Sequence, residues 1–243
     1  MIRVLFFLAM LCTGSAVAAP LQVAVASNFK TTLELLLPQF EAETGVQVRI
    51  SSGATGALYT QIIHGAPYDL FLAADDERPG MLVEQGMGQA DSLQSYAVGV
   101  LAFWDPKGEP GEQQLRQWDQ RLAVANPRTA PFGAAAEQVL ERLELTRPLR
   151  GKVVRGSNIL HTFQYVQSGN VPAGLVSLAQ LKQADIPADQ YWPVPADWHG
   201  SLVQQGVVLS QSKMPEQAQA LLQYIAKQHT VLAKAGYLVP HDH

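Results

Sequence analysis

Two hydroxyls stand where a strand-to-helix turn would put chemistry. Ser27 follows the alternating stretch Leu21-Gln22-Val23-Ala24-Val25 and precedes Phe29, Leu33, Leu36 and Phe40, which recur at helical spacing up to Gly45. Thr55 holds the same place in the next unit, after the alternation Val46 to Ile50 and before a helix with Leu58, Ile62 and Ile63 on one side. In an open α/β sheet, ligands sit in the crevice beyond the carboxyl ends of the strands. Helix N-termini there favour anions, through unpaired N–H donors and the positive end of the helix dipole. Either hydroxyl alone is equally an ordinary helix cap, worth about 1 kcal/mol. Two of them in successive turns point to a shared anion site.

Further donors follow the same pattern. Phe132-Gly133 comes after Asn126-Pro127-Arg128-Thr129-Ala130-Pro131 and enters a helix, although Pro131 is also a common helix starter. Ser157-Asn158-Ile159 opens another helix, and Ser177 ends the strand Gly174-Leu175-Val176. Enzymatic constellations are weak. The six histidines include no pair with the spacing of a helical zinc motif, and a nucleophile elbow, a P-loop and a dinucleotide fingerprint are all missing. His241 and His243 form a terminal His-x-His that reads as a tail, and Asp75-Asp76-Glu77 reads as a solvated turn before it reads as a cation site.

The elements that must position these residues repeat as strand, helix, strand. After the first two units, Asp69 to Ala73 is a short buried strand of a parallel sheet. Val98 to Phe103 reads as one further strand, followed by a polar loop from Asp105 to Glu112. A second block then runs through the strand 122–125, a helix from Gly133 to Leu145, the strand pair 153–154, a helix from Ile159 to Val166 and the strand 173–176. Val203 to Leu209 is a last strand, and Pro215 to Lys234 one long helix. Two such blocks predict an α/β architecture in two lobes. The expected division is lobe I at 19–97 and 205–243 and lobe II at 98–204.

The chain has 243 residues, 47% hydrophobic and 16% charged, which is enough to bury one large or two medium cores and excludes disorder. A net charge of −4 without any basic block argues against nucleic acid or an anionic membrane as partner. Residues 1–18 read as a cleavable secretory signal: Arg3, an apolar run from Val4 to Cys12, then Ala16-Val17-Ala18. Cys12 is the only cysteine, so the exported chain would carry no disulfide, thiolate metal site or cysteine nucleophile.

Several stretches together carry a resemblance. Val25-Ala26-Ser27-Asn28, Gly53-Ala54-Thr55-Gly56-Ala57-Leu58-Tyr59, Gly65-Ala66-Pro67-Tyr68-Asp69-Leu70-Phe71, Asn126 to Gly133, Asn170 to Val176 and Ala235-Gly236-Tyr237 occur in this order along the chain. In them the sequence resembles the periplasmic molybdate-binding proteins of ABC transporters. The resemblance implies a two-lobed, type II periplasmic binding protein fold, each lobe a mixed sheet flanked by helices, that buries molybdate or tungstate in the cleft between the lobes. It implies no cofactor, a membrane permease as partner, a periplasmic location and a monomer. Carried over residue by residue, the lobe I hydroxyls fall on Ser27 and Thr55 and the lobe II amides on Phe132 and Ile159. A position that bears a tyrosine hydroxyl in some relatives falls on Ser177. Asn28, Gly56, Gly133, Asn158 and Thr162 are further candidate donors. Three other readings compete: a receptor for sulfate or phosphate, an exported hydrolase using Ser27 or Ser177, and the effector domain of a transcription regulator.

Overall fold

Strict alternation in the first strand decides how lobe I is layered. In the computed structural model, which describes residues 19–240, β1 (Leu21–Ala26) turns Leu21, Val23 and Val25 to one face of its sheet. There they pack with Leu33, Leu36 and Phe40 of α1 (Lys30–Thr44). Ala24 faces the other way, into a cluster with Leu58, Ile62 and Leu82. Helices therefore cover both faces, as a parallel sheet requires. α1 stops at Gly45, whose φ of 72° suits a residue without a Cβ.

Lobe I continues through β2 (Val48–Gly53), α2 (Thr55–Ile63), β3 (Leu70–Leu72), α3 (Glu77–Glu84) and β4 (Gln94–Val98). Lobe II holds β5 (Leu101–Trp104), α4 (Glu112–Arg116), β6 (Leu122–Ala125), α5 (Pro131–Arg142) and β7 (Val153–Gly156). It is completed by α6 (Ile159–Gln167), β8 (Ala173–Ser177), α7 (Leu178–Gln183) and β9 (Tyr191–Pro193). The chain then returns to lobe I as β10 (Val203–Val208), α8 (Pro215–Ala226) and α9 (His229–Lys234). The sheet orders are β2-β1-β3-β10-β4 and β7-β6-β8-β5-β9. In each sheet three neighbouring strands are parallel and the fourth is antiparallel to them. This is the two-lobed, mixed-sheet, periplasmic binding protein-like II fold that the sequence led us to expect.

Where the elements differ from expectation, the cause is packing between distant segments. The apolar run 98–103 is not one strand: β4 ends at Val98 and β5 begins at Leu101, and the chain passes between the lobes at Gly99. Gly99 donates to the carbonyl of Leu202, and a Cβ there would lie 2.7 Å from Phe132 Cζ. Val203 and Gln204, placed in lobe II by the sequence, pair with Val98 and Ala97 in the first sheet. The helix 215–234 is two helices, broken at Lys227-Gln228, where no glycine or proline marks the break. Ile63 is exposed, unlike Leu58 and Ile62. The segment proposed as a signal, residues 1–18 with Cys12, lies outside the described residues, as do His241 and His243.

Candidate functional site

The carboxyl ends of the parallel strands of both sheets face one another across the cleft. From lobe I, β1 delivers Ala26-Ser27-Asn28, β2 delivers Gly53-Ala54-Thr55, and β3 is followed by Ala74; from lobe II come Ala130-Pro131-Phe132 and Ile159. Together they enclose a small cavity, about 10 Å³ by the measure in which one water needs about 10–15 Å³. That is about the space of one water molecule, far short of what a sugar or a peptide needs. The lining carries no ionisable side chain. Ser27, Asn28 and Thr55 are its only side chains with hydrogen-bonding groups, and all three are buried.

The hydroxyls do not cap their helices. α1 is preceded by Phe29 and α2 by Ala54, neither with a side-chain cap, so the capping role that the sequence allowed for Ser27 and Thr55 is set aside. Thr55 is instead the first residue of α2, and its Oγ1 accepts from the N–H of Ala74 at 3.2 Å. Accepting there leaves its single hydroxyl proton free to donate. Ser27 is held by its own N–H, which donates to the carbonyl of Gly53 at 2.9 Å.

Helix geometry supplies the remaining donors. Thr55, Phe132 and Ile159 lie in the first turns of α2, α5 and α6, where amides have no partner within the helix. Among the described residues none of the three donates to another backbone carbonyl. Three helix N-termini thus converge on a cavity without fixed charge, and their dipoles make it favourable to an anion.

Ser27, Thr55, Phe132, Ile159 and Asn28 are brought together here; the other candidates are not. Ser177 is wholly buried at the junction of β8 and α7, outside the cavity lining, and its hydroxyl has no partner. No turn separates β8 from α7, so Ser177 stays in register opposite Leu101 while Leu178 already begins the helix. Asn158 is committed to capping α6, its Oδ1 accepting from the N–H of His161 at 2.9 Å. Thr162 donates its hydroxyl to the carbonyl of Asn158. Gly56 spends its N–H on the carbonyl of Thr129, a 2.8 Å bond that joins the two lobes directly. Gly133 donates to Ala130, and a Cβ there would lie 2.5 Å from the carbonyl oxygen of Ala125, so it is the residue that lets α5 approach β6.

Charged groups stand back from the cavity. Asp75 accepts from the N–H of Arg78 and pairs with its guanidinium; burial pushes the Asp75 carboxyl up, and Arg78 opposes that shift. Among the described residues no group of three or more metal-ligating side chains is assembled. Arg155 pairs with Glu137 on the surface, and Arg128 is exposed. The serine bonded to a histidine is Ser157, on the surface next to His161, and not Ser27 or Ser177. Behind the cleft lie three buried polar residues that were not among the candidate donors, Tyr96, Gln204 and Tyr237.

Two lobes closing on a small cavity without an ionisable side chain have the architecture of a solute-binding protein. The chain matches the model of the bacterial extracellular solute-binding protein family over residues 21–238 and belongs to that family. It is similar to the molybdate-binding protein ModA of Azotobacter vinelandii, 40% identical over 92% of this chain and 91% of the relative. The molybdate-binding protein ModA of Rhodobacter capsulatus is 32% identical over 92% and 90%. The solved periplasmic molybdate-binding protein of Azotobacter vinelandii superposes with a TM-score of 0.86 at 34% identity, covering 91% of this chain and all of that one.

Proposed function

We propose that this protein captures molybdate in the periplasm and delivers it to the permease of an ABC transporter. The observation that carries the reading is a cavity of neutral donors at converging helix N-termini, in a chain 40% and 32% identical to proteins named for binding molybdate. Tungstate, which has the same charge and shape, is taken with it. Ser27 and Thr55 donate hydroxyls from lobe I, Phe132 and Ile159 donate backbone amides from lobe II, and Asn28 supplies the fifth contact in place of Ser177. Neutral donors suffice because their dipoles are fixed before the anion arrives. The reading needs no cofactor and no catalytic step, and the protein acts as a monomer.

The lining also ranks the rival anions. Hydrogen phosphate carries a proton that needs an acceptor, and no carboxylate faces the cavity. Sulfate is fully ionised and presents the same tetrahedron of acceptors, so its affinity relative to molybdate is the measurement that separates the two readings.

Calorimetric titration with molybdate, tungstate, sulfate and phosphate tests this. The expected result is binding of the first two at least about 100-fold tighter than sulfate, about 2.7 kcal/mol. Equal affinity for all four would make the protein a general oxyanion receptor. Ser27→Ala and Thr55→Ala should each weaken molybdate by about 1–3 kcal/mol; unchanged affinity in both would remove them from the site.

A further inference from the structure

Behind the anion cavity is a buried hydrogen-bond group whose arithmetic does not close as drawn. The Asn28 carboxamide meets that of Gln204 across the first sheet, Nδ2 to Oε1 at 3.0 Å. The Tyr96 hydroxyl lies 2.8 Å from the carbonyl oxygen of Ala73 and 3.2 Å from Gln204 Oε1. One hydroxyl proton cannot serve two acceptors. In the same arrangement Asn28 Oδ1 and Gln204 Nε2 are buried without partners. An unpaired buried donor is costly.

Oxygen and nitrogen of a carboxamide have nearly the same shape, and the hydrogen-bond network decides which is which. Exchanging them in both residues leaves Tyr96 a single acceptor, gives up the 3.4 Å contact from Asn28 Nδ2 to Tyr237 Oη, and makes the unpartnered end of Gln204 an acceptor in place of a donor. Gln204 Nε2 then donates one proton to Asn28 Oδ1 and the other to Tyr96 Oη, while Tyr96 gives its own proton to Ala73. The Tyr237 hydroxyl keeps its 2.8 Å bond to the carbonyl of Asn28. The outcome is that the NH2 of Asn28 becomes the free end. Asn28 lines the anion cavity, so a free donor there has an acceptor in the dianion.

Gln204 is placed for this by its strand. β10 pairs with β4 in a register that shifts between Gln204 and Gln205, and such a bulge re-aims side chains. Gln204 is fully buried beside the Gly99 crossover, where a Cβ would lie 2.9 Å from its Nε2.

We propose that Gln204 is a positioning residue for the anion site: by donating to Asn28 Oδ1 from the interlobe strand, it presents the Asn28 NH2 to the bound oxyanion. This rests on the molybdate reading given above. The test is a double-mutant cycle titrated with molybdate, using wild type, Asn28→Ala, Gln204→Met and the pair. Gln204→Met keeps the length of the side chain and removes both donors. Each single variant should weaken binding about tenfold or more, and the double variant should be no weaker than Asn28→Ala alone. Gln204→Met binding as wild type does, or losses that multiply in the double variant, would overturn the relay. Should Gln204→Met fail to fold, the side-chain amide NMR spectrum of the wild type decides, with Asn28 assigned through Asn28→Asp. Molybdate should shift the Asn28 NH2 resonances and leave those of Gln204 in place; an unmoved Asn28 pair overturns the proposal. A wild-type protein that takes no molybdate would instead refute the binding function itself.

Discussion

Gly56→Ala separates closure of the lobes from stability of the fold, because its two consequences have opposite signs. Gly56 is the second residue of α2 and is not among the glycines with positive φ, so alanine fits its backbone. In a helix alanine is favoured over glycine by about 0.5–1 kcal/mol. Within lobe I alone the substitution should therefore hold or raise stability. Across the cleft it should do harm. The new Cβ would lie 3.1 Å from Thr129 Cα, 3.2 Å from Thr129 O and 3.3 Å from Arg78 Nε. Two of these atoms are backbone, so lobe II must retreat by a few tenths of an ångström, stretching the 2.8 Å bond from Gly56 N to Thr129 O. Loss of that bond together with some misplacement of the Phe132 amide should cost about 1–2 kcal/mol, or about 5–30-fold in Kd. Most of it should appear as faster release. Calorimetry and stopped-flow release measure the affinity, and thermal unfolding without anion measures the fold. Unchanged affinity, or a melting temperature that falls in step with affinity, would refute the argument that Gly56 is kept free of a side chain for the sake of closure.

Three further outcomes follow from the geometry. Ser177→Ala should leave the molybdate Kd within about twofold and the stability within about 1 kcal/mol, since it deletes a buried hydroxyl that has no partner; a large loss of affinity in titration would return Ser177 to the site. Raising chloride from about 0.01 M to 0.15 M shortens the Debye length from about 30 Å to 8 Å, yet affinity should change less than about tenfold because no ionisable side chain lines the cavity; a hundredfold loss would place a cation there. Burial pushes the hydroxyls of Tyr96 and Tyr237 well above the usual tyrosine range. The folded protein thus keeps two protons that the unfolded chain loses near pH 10. Stability is complete below that pH and falls above it by about 1.4 kcal/mol per pH unit for each tyrosine. Urea midpoints between pH 9 and 11.5 check this, and Tyr96→Phe or Tyr237→Phe should each remove one share of the slope.

The parts of the site legible in the sequence are those set by local punctuation. Ser27, Thr55, Phe132 and Ile159 each stand where a strand gives way to the next helix, a change that residues near them in the chain announce. Ser177 has the same local signature, yet it lies outside the cavity lining. What separates it from Ser27 is that β8 runs into α7 without a turn, a matter of packing that no residue type announces. Gly99 was hidden for a related reason: β4 ends in the apolar residues Ala97 and Val98 and β5 is buried throughout, so one apolar run spans two strands in different sheets. Gln204 was invisible because the partner that gives it meaning, Asn28, lies 176 positions away in the chain. Hydrophobic periodicity reports which face of an element is dry, and it says nothing about which distant polar group will meet it there.

The place of β10 in the first sheet also sets a timetable. All five strands of lobe II lie in one unbroken stretch from Leu101 to Pro193. A chain emerging N-terminus first can complete that sheet while the earlier lobe still has a gap between β3 and β4. The gap is filled only by Val203–Val208, and the core around Leu21, Val23 and Leu33 is finished only by Leu221, Leu222 and Ile225 of α8. The half that is made first is therefore the half that folds last, and the anion cradle, which needs both, comes into being at the end of the process. Nascent or truncated chains that stop short of β10 have no means of holding molybdate, so ligand capture is reserved for finished molecules.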